Sequence, residues 1–333
     1  MSQSQSQSMS MSNSDTNSSH SSSPAAPFDR IHARRTELGE GLTIRRALPT
    51  AQRRRVGAWC FLDHIGPVQF EGPALENGGL HVGGHPHIGL QTFTWMIEGE
   101  ILHRDSLGSE QLIRPGEVNL MTAGHGIVHT EDAPAGTARI HAAQLWIALP
   151  PGEEDRPPAF EHHASLPRWQ EQGAQWTLLA GSHAGRTAAP KVYTPLLGLE
   201  IHAPNEAVEL RLDLRGDFEH GLLPLEGELG LAGETLGTGE LAYLAPGQAP
   251  ASLHLSAGGR LLLLGGEPFP AEIEMWWNFV GLSRAAVAQA QADWDAQREA
   301  GGLRFGRVQG DEGRRLVAPR LPASGYSPHT PQE

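Results

Sequence analysis

Short apolar runs alternate with Gly- and Pro-bearing breaks along most of the chain. Runs at 56–62, 91–97, 117–122 and 140–149 make a first half; runs at 176–181, 192–202, 207–214, 227–232, 241–245 and 251–264 make a second. Runs this short, bounded by turn residues, read as strands of a sandwich or barrel. One helical pattern comes late. Ser283 can cap a stretch from Ala285 to Ala300 rich in Ala, Gln, Glu and Arg, which Gly301-Gly302 stops. Pro150-Pro151, Glu153-Glu154-Asp155 and Pro157-Pro158 mark residues 151–175 as a linker. The pattern therefore predicts an all-β protein with an N-terminal domain over 27–150, a linker over 151–175, and a C-terminal domain over 176–333 that ends in a short helix and tail.

The halves echo each other. Ile97-Glu98-Gly99-Glu100 precedes Arg114-Pro115-Gly116-Glu117, and Leu225-Glu226-Gly227-Glu228 precedes Ala245-Pro246-Gly247-Gln248 at a similar separation. Each pair reads as a Glu-Gly hairpin turn followed by a Pro-Gly turn, which fits two copies of one barrel.

Composition sharpens this picture at a few points. With 40 Gly and 25 Pro in 333 residues, turns are abundant. Residues 1–26 hold 12 serines among Gln, Met and Asn, a tract with nothing to bury that is expected to be disordered and dispensable. The net charge of −13 speaks against an overall attraction to nucleic acid or to an anionic membrane. No apolar run approaches the roughly 18 residues a membrane span needs, and the N-terminus lacks an apolar signal core. The single cysteine, Cys60, excludes an internal disulfide; flanked by Ala58-Trp59 and Phe61-Leu62, it reads as core packing. The arginine clusters at 34–35, 45–46 and 53–55 read as strand edges and solvated loops. A cytoplasmic protein with neither a membrane nor a nucleic-acid partner is the expectation.

The chemistry concentrates in histidines. In Gly83-Gly84-His85-Pro86-His87-Ile88-Gly89, residues 85 and 87 share a face of an extended strand. About forty residues on, Gly126-Ile127-Val128-His129-Thr130-Glu131 puts His129 and Glu131 on one face. Two such strands, adjacent in a barrel, would aim three imidazoles and a carboxylate at one point, a donor set suited to Fe, Mn, Ni, Cu or Zn. His81 has the parity to join them, but Gly83-Gly84 can break its register. His103 and Asp105 either orient a ligand from behind or simply pack in a strand. His125 reads as a loop residue, and His162-His163 as solvent-exposed. The second half has no His-X-His, so its barrel is expected to be metal-free. Phe93, Trp95, Met96 and Trp146 could line a pocket for a flat ligand or belong to the core. Of Trp276-Trp277, one is expected to pack at a domain interface.

These blocks resemble a known family. His85-Pro86-His87-Ile88-Gly89, His103-Arg104-Asp105-Ser106, Thr122-Ala123-Gly124-His125-Gly126-Ile127, His129-Thr130-Glu131 and Gln144-Leu145-Trp146, in this order, look like the signature of the pirins within the cupin superfamily. Phe61-Leu62-Asp63-His64-Ile65-Gly66-Pro67 and Met275-Trp276-Trp277-Asn278-Phe279-Val280-Gly281 extend the similarity over residues 29–321. The resemblance implies a bicupin of two double-stranded β-helix (jelly-roll) barrels, the first holding one divalent metal. That metal would be Fe(II), with Mn, Ni, Cu, Zn or Co as alternatives, on His85, His87, His129 and Glu131. Where the general cupin pattern has a Glu shortly after the His pair, this chain has Gln91, and Glu131 stands in for it. The same resemblance implies a quercetin 2,3-dioxygenase-type oxidoreductase, which would act on flavonols with O₂ and in which Glu131 would double as a catalytic base. The alternative is a non-enzymatic, redox-sensitive regulator that binds a protein partner through the same domain.

Overall fold

The computed structural model describes residues 28–38, 42–248, 250, 252–300, 304–311 and 315–322, so the serine-rich tail over 1–26 lies outside the described residues. The first half contains β1 (Asp29–His32), β2 (Arg34–Leu38), β3 (Leu42–Leu48), β4 (Trp59–Gln69), the short α1 (Pro73–Asn77), β5 (His81–His87), β6 (Leu90–Glu98), β7 (Ile101–Asp105), β8 (Glu110–Ile113), β9 (Val118–Thr122), β10 (Ile127–Asp132), β11 (Arg139–Ala148) and β12 (Ala159–His163). The second half contains β13 (Arg168–Glu171), β14 (Ala174–His183), β15 (Arg186–Thr187), β16 (Leu196–Ala203), β17 (Val208–Leu210), β18 (Glu219–Glu226), β19 (Leu229–Leu231), β20 (Glu234–Leu236), β21 (Glu240–Leu244), β22 (Leu253–Leu255), β23 (Gly259–Gly266), β24 (Glu274–Trp276), β25 (Phe279–Gly281) and α2 (Arg284–Ala300).

Each half is a large sheet facing a small one. The first pairs β12-β9-β6-β11-β4-β3-β2 with β5-β10-β7-β8; the second pairs β1-β21-β18-β23-β16-β14-β13 with β17-β22-β19-β20. The duplication is thus real at the level of topology, since β5-β10-β7-β8 and β17-β22-β19-β20 have the same order. The Glu-Gly turns are equivalent, joining β6 to β7 and β18 to β19 at Gly99 and Gly227, both with positive φ. The Pro-Gly turns are not: the first joins β8 to β9, the second β21 to β22, one strand further on.

Three strands fall where the apolar pattern put none or assigned them elsewhere. The stretch expected to be a linker contributes β12 to the edge of the first large sheet and β13 to the edge of the second. Its Pro and acidic residues flank these edge strands without interrupting them. β1, placed by sequence in the first domain, pairs instead with β21 of the second.

The two large sheets pack back to back. Alternation along β6 sends Phe93 and Trp95 to this seam, where they join Trp59, Leu120 and Leu145 from the first half and Leu196, Leu223, Leu262 and Leu264 from the second. Trp59 fastens the seam by donating its indole N–H towards the carbonyls of Leu197 (3.2 Å) and Gly265 (3.1 Å). Cys60 is buried here, and burial pushes its thiol up to about 12, which keeps it unreactive. Helix α2 begins as expected, with the Ser283 hydroxyl accepting from the Ala286 amide at 3.2 Å. Its Val287, Ala290 and Trp294 pack with Phe279 and Phe305 against Ile88 and Val128 of the first barrel. No described helix is long and apolar enough to cross a membrane.

Candidate metal centre

β5 and β10 run antiparallel, with His85 opposite His129 and His87 opposite Ile127. Period-two alternation turns His85, His87 and His129 to the same side, and one imidazole nitrogen from each lies within 4.8 Å of the others. All three rings are buried, at 6%, 1% and 1% exposure. Burial lowers the basicity of each, His85 to about 4 and His87 and His129 well below the ordinary value, so all are neutral near neutral pH. Neutral imidazole is the form that binds metal.

The hydrogen bonds fix which nitrogen is free. A carbonyl can only accept, so His85 donates through Nδ1 to the Gly83 carbonyl (2.9 Å) and His87 through Nδ1 to the Asn278 carbonyl (3.1 Å). Both therefore present unprotonated Nε2. Behind His129 stands a relay in which His103 Nε2 meets Asp105 Oδ2 at 3.0 Å and His103 Nδ1 meets His129 Nδ1 at 3.3 Å. With its Nε2 donating to Asp105, His103 can accept the Nδ1 proton of His129 at its own Nδ1, which leaves the His129 Nε2 free as well. Phe160 of β12 stacks on His103 (4.4 Å, 14°) and holds its plane. Burial works against the Asp105 charge, but hydrogen bonds from His103 and Ser109 outweigh it and keep the carboxyl below its ordinary range. Of the two roles open to His103 and Asp105, the structure thus favours orienting a ligand.

The Nε2 atoms of His87 and His129 are 3.1 Å apart. Two lone pairs facing at that distance repel unless a cation lies between them. Metal–imidazole bonds of about 2.1 Å at a right angle put neighbouring nitrogens about 3.0 Å apart. The residues present fit a bound divalent ion.

Glu131 lies outside this trio. The register of β5 against β10 shifts by one between His129 and Glu131, so that Gly83 and Gly84 together stand opposite Thr130 and Glu131 faces Val82. It is half-covered at the surface yet densely surrounded; burial and then the neighbouring Asp132 push its carboxyl up to about 7. The same shift puts His81 opposite Asp132, where Nδ1 and Oδ1 meet at 3.0 Å. His125 is exposed in the loop before β10. His162 and His163 are half-buried rather than exposed, because β12 carries them; His162 bonds Asn119 at 2.8 Å.

The four candidates for an apolar pocket wall separate. Trp146 stands edge-on to His87 (5.1 Å, 76°), whereas Phe93 and Trp95 belong to the seam and Met96 to the apolar end of the first barrel. Sequence reasoning gave no role to the groups beside Trp146. Phe61 stacks on it (3.9 Å, 11°), Arg46 lies over Phe61 (4.4 Å), and Arg46 grips the buried Asp63 with two bonds of 2.7 Å. Their inward parity, Phe61 with Asp63 on β4, was the available signal. The C-terminal segment was also unforeseen here. Asn278 orients His87, the Asp311 carboxylate accepts from the Gly84 amide (2.8 Å), and Leu316 donates to the Gly84 carbonyl (2.8 Å). Trp276 is buried beside it and donates to the Pro319 carbonyl, while Trp277 sits in the hairpin turn with φ of 51°.

In the second barrel the equivalent strands β17 and β22 present Val208, Leu210, Leu253 and Leu255. Leu210, Leu253 and Leu255 fill an apolar core where the first barrel has its histidines.

The profile described as Pirin matches residues 41–147, and the profile described as the Pirin C-terminal cupin domain matches residues 199–300. A Pseudomonas aeruginosa protein, provisionally named a quercetin 2,3-dioxygenase, is 58% identical over 293 residues, covering 88% of this chain and 90% of its own. A pirin-like protein of Caulobacter vibrioides is 39% identical over 274 residues, covering 80% and 92%. Among solved structures, a quercetin 2,3-dioxygenase from Acinetobacter baumannii matches with a TM-score of 0.85 at 44% identity, covering 90% of this chain and 97% of that one.

Proposed function

The chain belongs to the pirin family as a bicupin, and from that premise we propose that it is a mononuclear Fe(II) dioxygenase that oxidises quercetin-like flavonols with O₂. The observation that carries the reading is the convergence of three neutral imidazoles, two of them with Nε2 atoms 3.1 Å apart. In this reading His85, His87 and His129 hold the metal through Nε2, and Glu131 supplies the fourth donor. A divalent ion there provides a Lewis-acidic centre that can gather a substrate oxygen and O₂.

The surrounding residues suit a flat polyphenol. The stacked Trp146 and Phe61 offer an aromatic wall beside His87. Thr94 and Gln144, bonded to each other at 2.7 Å, and the Arg46–Asp63 pair place polar groups on the strands that form this wall. Glu131 is the carboxylate nearest this centre by sequence, two residues after His129 on β10, and in this reading it would also take the flavonol hydroxyl proton. The names of the Pseudomonas and Acinetobacter relatives support the same substrate class.

The test is O₂ uptake by the iron-loaded protein with quercetin, with metal content measured alongside. Loss of the flavonol absorbance is expected in wild type and at least tenfold slower loss in Glu131→Gln at matched iron. No turnover by iron-loaded wild type, or equal turnover by metal-free protein, overturns the enzyme reading and favours the regulator that binds a protein partner.

A further inference from the structure

At one end of the seam the back-to-back packing opens into a cleft of about 410 Å³. Both halves build it: Trp95 comes from β6, and Arg168, Trp169, Trp176, Glu200 and Arg260 come from the second half. None of His85, His87, His129 or Glu131 lines it. Strand β6 separates the two places, since Thr94 bonds Gln144 on the barrel side and the next residue, Trp95, faces the seam. Clefts of this size at domain boundaries, with a few convergent polar groups on apolar walls, are where small molecules bind.

Three features define what would fit. Trp169 and Trp176 lie nearly parallel (5.7 Å, 21°); Trp176 is buried, and the half-buried Trp169 presents indole surface. Trp95 is 3% exposed, yet its indole N–H has no hydrogen-bond partner among the described residues, a state that folded interiors avoid. The two arginines differ. Arg260 is neutralised by Glu200 and Glu226, whereas Arg168 donates to the Gly116 carbonyl and has no carboxylate within ion-pair distance among the described residues. Glu200 feels the Arg168 charge only from farther off and is committed to Arg260. The cleft therefore offers donors and one cation without a direct counter-ion, beside aromatic walls.

We propose that this interdomain cleft is a second binding site, independent of the metal, for a small planar aromatic carboxylate. The ring lies against the indole surface, the carboxylate accepts from the Arg168 guanidinium, and the Trp95 N–H supplies a further donor. Guanidinium recognises carboxylate by paired, charge-assisted bonds, so the charged end of the ligand carries the specificity.

Isothermal titration of the full-length, metal-loaded protein with 1-naphthoate and its neutral counterpart 1-naphthamide tests this. Wild type is expected to take one equivalent of naphthoate and to bind naphthamide about tenfold more weakly. Arg168→Gln should abolish that preference, and Arg168→Lys, which keeps the charge, should retain most of it. Trp95→Phe keeps the ring and loses the N–H, and should weaken naphthoate about threefold to tenfold. His129→Ala should bind naphthoate as wild type does. The proposal falls if wild type shows no saturable binding at millimolar naphthoate or if Arg168→Gln keeps the wild-type preference. It also falls if His129→Ala loses the binding, which would put the ligand at the metal centre.

Discussion

At the scale of single residues, the metal centre depends on where three protons sit. The Gly83 and Asn278 carbonyls hold protons on Nδ1 of His85 and His87, and the His103–Asp105 relay does the same for His129. Every Nε2 is thereby left to face the others. Asp105→Asn removes the charge that fixes the His103 tautomer and should lower metal affinity by about 10–100-fold, as outer-sphere changes at metal sites do. Chelator competition measures this, and unchanged affinity would count against the relay. His81 and His125 serve as controls: one is paired with Asp132 and the other is exposed in a loop. Alanine at either should leave affinity within a few-fold of wild type. The His-X-His at 85 and 87 and the pairing with His129 were legible from strand period alone. The relay was visible only as two residues of the right type, because contact between His103 and His129 depends on how β7 and β10 align.

At the scale of elements, the decisive feature is the irregularity at Gly83-Gly84. It sets Glu131 opposite Val82 and sends His81 towards Asp132. The two glycines signalled that register could break, but not how far. That depends on Asp311 and Leu316, more than 200 residues away, which bond the Gly84 backbone. A Cβ on Gly84 would come within 2.1 Å of the Asp311 carboxylate. Gly84→Ala should therefore push the Asp311 carboxylate off the Gly84 amide and destabilise the metal-free protein by about 1 kcal/mol, the worth of the hydrogen bond lost. Urea unfolding would show it, and an unshifted midpoint would mean that the C-terminal segment does not press on β5. The same dependence on distant partners hid β12 and β13: edge strands read as polar, Pro-flanked sequence until a sheet is there to receive them.

At the scale of the whole molecule, the two barrels are joined by more than a linker. β1 crosses to the second barrel, the C-terminal segment returns to the first, and the seam shares one core. None of this is local, so a reading by periodicity could find two similar halves but not their exchange of strands. The seam also contains buried polar groups. His64 and His141 meet Nε2 to Nε2 at 2.9 Å, and burial lowers both to about 3 from an ordinary 6.5. Above pH 6.5 both are neutral whether folded or unfolded, and stability is unaffected. Between about 6.5 and 3 the unfolded chain takes up protons that the folded one refuses, so stability falls as pH falls. The loss is at most about 1.4 kcal/mol per pH unit for each histidine. The stability difference between pH 7 and pH 5, measured on metal-loaded protein, should shrink in the double variant His64→Gln, His141→Gln. An unchanged difference would contradict this.

A single metal centre on the first barrel can be counted by elemental analysis of wild type and ligand variants. Wild type reconstituted with Fe(II) under exclusion of O₂ should retain about one equivalent per chain after desalting. His87→Ala and His129→Ala should retain almost none, while His81→Ala stays near one. Two equivalents in wild type, or full retention by folded His87→Ala and His129→Ala, would contradict the account.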